Sequence, residues 1–225
     1  MATRQTKKVI YLFQLDSGIG YRFDVEFDRT VAGGELPEWT RLETDQCPHC
    51  PLPSAPGARC PAAADLVPLV ERFSALSSIG RVEVRVLTAE FEARKQTDTQ
   101  TALSALMGLV LATSACPILG RMRPLAHTHS PFATASEQVY RILSMHLMGC
   151  FLRGEPAALD GLDRLFSDID RLNQAFFGRL NRAVQRDAGI NALLALHSRS
   201  TLASLTIATE IENIRAWFSP ALAHD

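Results

Sequence analysis

The chain has 225 residues and a mass of 24.7 kDa, enough for one large domain or two small ones with a self-sufficient core. Hydrophobic residues make up 47% and charged residues 21%, and the mean hydropathy is +0.03, values that exclude wholesale disorder. Basic and acidic residues number 23 and 24, a formal net charge of -1, which supplies no strong field for a phosphate backbone and argues against nucleic-acid binding.

The chain opens MATRQTKK and then VIYLF. The apolar run stops at Gln14, too soon for a secretory signal, and no small-residue cleavage site follows. The most apolar stretch, Ala102 to Ala112, is too short to span a bilayer. Five cysteines, an odd number, do not suit a secreted disulfide framework. The expectation is a soluble, cytoplasmic protein without a membrane segment.

The first third reads as sheet. Lys8 to Leu15 and Gly20 to Phe27 are β-rich runs joined by a hairpin turn at Asp16, Ser17 and Gly18. In the second run Tyr21, Phe23, Val25 and Phe27 alternate with Arg22, Asp24 and Glu26, the period of a half-buried strand. Ala32 to Pro37 is a glycine-containing loop, and Trp39 to Glu43 is read as a third short strand. Gln46 to Pro61 holds three cysteines and five prolines without periodicity, and predicts a stiff, irregular loop. Ala62 to Ser78 carries apolar residues at helical spacing up to Gly80. Arg81 to Leu87 alternates again, with Ala89 to Lys95 as its expected hairpin partner.

The rest reads as helical. Thr97 or Asp98 caps a helix to about Ser114, apolar nearly all round and therefore central. A loop is expected from Cys116 to Pro131. Helices then follow from Ser136 through Cys150, within Pro156 to Arg186, and from about Gly189 to Phe218, with Pro220 marking the end. The last two form an expected antiparallel hairpin, with pairing of two copies through it as the alternative. The predicted class is α+β: a small N-terminal mixed sheet with one helix (residues 1–96), then a bundle of about four helices (residues 97–225).

Four of the five cysteines are followed by proline: Cys47, Cys50, Cys60 and Cys116, spaced C-x2-C-x9-C-x55-C. Four thiolates are the complete set for a tetrahedral zinc or an iron–sulfur cluster. Proline fixes the chain beside each sulfur, is expected to keep it out of helix, and sets an apolar ring over it. A zinc knuckle ordinarily has Gly after its second cysteine, at positive φ; here Pro51 forbids that turn. An iron–sulfur cluster is therefore favoured over zinc. A site without metal, with free thiols or a Cys47–Cys50 disulfide, is the third reading. Cys150 lacks the proline, lies on an apolar helical face and reads as a buried structural thiol.

His49, between two of the cysteines, is placed to tune a cluster by hydrogen bonding. Arg121, Arg123, His127 and His129 lie within nine residues and form a candidate outer shell, the arginines screening a negative cluster. No P-loop, G-x-G-x-x-G after a strand, H-E-x-x-H or G-x-S-x-G occurs. Asp168 and Asp170 fall on different helix faces and make no catalytic pair.

At CPHCPL, RCPAA and TSACP the sequence resembles a bacterial family of unknown function whose pattern runs CPxCPL, CPxA, a helix, two strands, an apolar helix ending ATSxCP, then RP and a helical C-terminus. The resemblance spans most of the chain and implies the ligand set Cys47, Cys50, Cys60 and Cys116, with Arg123-Pro124 as a further match; His127 matches no motif position. It implies no activity. The functional expectation is an iron–sulfur protein of electron transfer or redox sensing that signals through another protein. The alternatives are an adaptor stapled by zinc or a cluster, and a cluster-dependent enzyme with a pocket floored by Arg121, Arg123 and His129.

Overall fold

The computed structural model describes residues 7–29, 35–73, 76–159, 161–183 and 209–219. Four strands form one sheet in the order β2-β1-β3-β4: β1 (Lys8–Leu15), β2 (Gly20–Glu26), β3 (Arg81–Leu87) and β4 (Glu92–Asp98). Every pairing is antiparallel. Gly18, at φ 83°, closes the β1–β2 hairpin; its N–H donates to the Leu15 carbonyl at 2.9 Å. Period-two alternation puts Tyr11, Phe13, Phe23, Val84 and Val86 on one buried face. There α1 (Pro61–Phe73) and α2 (Thr99–Ala112) cover them, with Phe73 against Phe13, Tyr21 and Phe23 at ring separations of 5.1–5.6 Å.

Asp98 caps α2 by accepting the Thr101 N–H at 2.7 Å. After α2 the chain makes a 3₁₀ turn (Leu119–Met122) and the short α3 (Arg123–His127), so the expected loop there is largely helical. The helix α4 (Ala135–Arg153) opens on a capping box, Thr134 with Glu137, and ends at Gly154 with φ 69°. Next comes α5 (Leu162–Ala183), and 209–219 is helical. Most of the last predicted helix, and so most of the expected hairpin, lies outside the described residues; its described end packs on α4, Trp217 edge-on to Tyr140 at 5.9 Å.

Three further expectations are corrected. Trp39 to Glu43 is not a strand but a 3₁₀ turn (Glu38–Thr40) followed by an isolated bridge, Arg41 to Arg59. The fourth strand starts three residues late, because the Thr88 hydroxyl accepts the N–H groups of Glu90 and Phe91 and holds 88–91 in a turn. And α1 ends at Phe73, short of Ser78. The main core joins the sheet, α1, α2, the 118–126 region and α5, crossing the expected boundary at residue 96.

Candidate metal centre

One Cys-Pro pair opens a helix, and another opens the turn that leads into the 3₁₀ segment Leu119–Met122. Pro61 is the first residue of α1; the Cys60 carbonyl accepts the Ala64 N–H at 2.9 Å, and the N–H groups of Ala62 and Ala63 donate to the Cys60 sulfur. This is N-cap geometry with sulfur in the place of the usual oxygen, and proline where its fixed φ and missing N–H suit the helix start. Cys116 repeats it: its carbonyl accepts the Gly120 N–H at 2.8 Å, and Ile118 and Leu119 direct their N–H groups at its sulfur. The idea that proline keeps each cysteine away from helix is thereby corrected. At the other pair, Cys47-Pro48-His49-Cys50 is a turn closed by the Cys50 N–H on the Cys47 carbonyl at 3.0 Å, with proline at its favoured second position.

These segments bring the four sulfurs into one neighbourhood. The Cys47 thiol is pushed up to about 12, first by burial and then by the proximity of Cys60, Cys116 and Cys50. Burial likewise raises the Cys60 and Cys116 thiols, against the pull of the N–H groups at each sulfur. Cys60 and Cys116 are each 7% exposed, whereas Cys47 and Cys50 are half-buried. All five cysteines are free thiols. Among the described residues, no three His, Cys, Asp or Glu side chains are drawn in as closely as a single ion requires.

One charge stands beside the thiols. Arg179 of α5 is 1% exposed and lowers the cost of ionising both Cys47 and Cys60. Its guanidinium donates to the carbonyls of Trp39 at 2.7 Å and Arg41 at 2.5 Å, and more weakly to Leu42 and Asp45. The Thr40 carbonyl between them accepts the Cys60 N–H at 2.8 Å. The backbone of 39–45 is therefore spent on Arg179 and Cys60, which is why it is no strand. Arg182 seals the outside by pairing with Asp45 at 2.8 Å.

The candidate outer shell divides. His49 stays with the cysteines, both ring nitrogens shielded from water and without a hydrogen-bond partner. The others are engaged elsewhere. Arg121 pairs with Asp168 on α5 at 2.8 Å, and Arg123 with Asp28 at 2.9 Å and the Phe27 carbonyl. His127 packs edge-on against Phe27 at 5.1 Å. His129 meets the Tyr11 hydroxyl at 2.6 Å through Nε2 and lines a separate cavity that neither Arg121 nor Arg123 reaches. Cys150 is buried on α4 with His146 and Arg153 near its sulfur, each at 3.7 Å.

A family model described as a domain of unknown function, DUF6901, matches residues 9–219. The chain belongs to this family. No curated protein and no solved structure matches. The DUF6901 match takes in all four Cys-Pro cysteines and Arg179. Arg179 is what the reading of the sequence missed. It falls three residues after Phe176 and seven after Leu172, on the apolar stripe of α5, where a charge has to find buried partners.

Proposed function

We propose that this DUF6901 chain carries an iron–sulfur cluster on Cys47, Cys50, Cys60 and Cys116 and serves cytoplasmic electron transfer or redox sensing, with another protein as its partner. The observation that carries this reading is the gathering of four thiols beside a buried guanidinium that forms no ion pair among the described residues. Four thiolates around iron carry surplus negative charge, and Arg179 offsets it. The N–H groups of Ala62, Ala63, Ile118 and Leu119 give the sulfurs of Cys60 and Cys116 fixed donors. A cluster, when bound, supplies a one-electron couple whose potential the surrounding charge and hydrogen bonds set. Cluster ligands also sit wider, with sulfurs about 6–7 Å apart, than the roughly 4 Å of a tetrahedral zinc.

One observation favours a second reading, a zinc-stapled structural protein: Cys60 starts α1 and Cys116 opens the turn into the 3₁₀ segment Leu119–Met122, so any bridge between them fixes two elements separated by 55 residues. Reconstitution with ferrous iron and sulfide under anaerobic conditions decides. A broad absorption band near about 400 nm, with iron and sulfide content lost in each Cys→Ser variant but kept in Cys150→Ser, is the expected result. Stoichiometric zinc without colour would establish the second reading. Failure to take up either metal would overturn both.

A further inference from the structure

Away from the cysteines, α2, α4, α5 and the 119–135 region enclose a cavity of about 360 Å³. Its walls are chiefly apolar, with Leu109, Ile142 and Phe166 among them. Three of the polar side chains in that lining bear on what it can hold. Arg141 comes from α4. One Nη donates to Gln138 Oε1 at 2.7 Å and the other to the Leu125 carbonyl at 2.8 Å, while its Nε is shielded from water without an acceptor. A guanidinium has five N–H donors, so most of this one's capacity is unmet. Glu137 of the same helix acts on it electrostatically, but no carboxylate lies within salt-bridge distance of it among the described residues, in contrast to Arg121, Arg123, Arg153 and Arg182. The Ser104 hydroxyl, from α2, is buried at the same cavity without a partner. His129 is the third. Burial and then Arg141 hold it near a pKa of about 4, so it is neutral at pH 7. Its Nε2 lies 2.6 Å from the Tyr11 hydroxyl.

Unsatisfied buried donors are costly and rare in folded proteins, and a cavity lined by several of them is built for an acceptor. One cation, a neutral imidazole and a hydroxyl match one negative charge; a phosphate dianion would leave charge uncompensated in apolar surroundings. The volume sits at the small end of the roughly 300–1,000 Å³ that ligand sites occupy, which suits an acid of medium length better than a long lipid.

We propose that this cavity binds a small monocarboxylate with an apolar body, its carboxylate taken by Arg141 and its hydrocarbon by the walls between α2, α4 and α5. The proposal is independent of what the cysteines hold. Calorimetric titration of the full chain with octanoate, and with octanol as its uncharged counterpart, tests it. Octanoate is expected to bind at one site, about ten-fold or more tighter than octanol, the margin of a charge-assisted hydrogen bond. Arg141→Gln is expected to remove that margin while leaving octanol within about two-fold, because the walls are untouched. Ala105→Leu, which keeps the charge and adds bulk from α2 at the lining, is expected to weaken both probes. It also supplies a test should Arg141→Gln fail to fold. Octanoate binding no tighter than octanol, or octanoate affinity unmoved in whichever of these variants folds, would overturn the assignment.

Discussion

Arg179 gives up its water on folding and finds carbonyl oxygens instead, on a segment that also positions Cys60. Replacing it by Leu leaves those carbonyls buried and unmet. The metal-free protein is expected to lose about 2–4 kcal/mol, read from urea unfolding. In the iron-loaded protein the same change removes a cation beside the centre. The reduced state carries one more negative charge than the oxidised state, so the midpoint potential is expected to fall; an unchanged potential in redox titration would place Arg179 outside the site's electrostatics. His129 gives a second prediction at this scale. Its folded pKa of about 4 lies below the ordinary imidazole value of 6.5. Between those values the unfolded chain binds more protons, so stability is fully present above about pH 6.5 and falls as pH drops toward 4, by about 3 kcal/mol. A His129→Gln variant should show a flatter stability profile over that window in thermal melts. The Cys-Pro pairs were legible because ligand and proline are adjacent in sequence; Arg179 was not, because its partners lie some 140 residues upstream.

Among the elements, the start of α1 carries the clearest test, because Cys60 serves both as its cap and as a proposed ligand. A serine hydroxyl still caps, whereas alanine does not. In the metal-free protein, Cys60→Ala is therefore expected to be about 1 kcal/mol less stable than Cys60→Ser, while both lose metal equally. Equal stability of the two variants would mean that the cap contributes nothing. Strands with clean alternation, Lys8–Leu15 and Arg81–Leu87, were readable to the residue, since a period of two has one interpretation beside an apolar layer. β4 was misplaced because its sequence, EARKQTD, is an exposed edge with no buried alternation, and its start is set by the Thr88 side chain rather than by hydrophobicity. The 3₁₀ turn and α3 after Cys116 escaped notice for a similar reason: the stretch is short, and its prolines read as loop when Pro117 and Pro124 stand at the starts of turns.

For the molecule as a whole, the α+β class followed from the change of period near residue 97, but the core does not respect that division. Leu172, Phe176 and Leu180 of α5 share one cluster with Val9 and Phe13 of β1. Bridging Cys60 to Cys116 through a metal closes a 55-residue loop across that shared core. By loop-closure arithmetic this restrains the unfolded chain by about 4 kcal/mol, so loading is expected to raise the melting temperature and chelation or oxidative loss to lower it as one cooperative transition. Two separate transitions by calorimetry, one of them metal-independent, would show the halves to be uncoupled.

The burial of the four thiols is graded, and the grading has a direction. Cys60 and Cys116 are buried, whereas Cys47 and Cys50 are half-buried in a lip formed by residues 46–58. From Gln46 to Ala58 that lip contains no Asp, Glu, Lys or Arg, and four of its residues are proline. Anything that exchanges with the sulfurs from outside crosses a surface that is stiff and uncharged. Its approach is neither steered nor repelled by local charge, and the rate of such an encounter should be nearly indifferent to ionic strength.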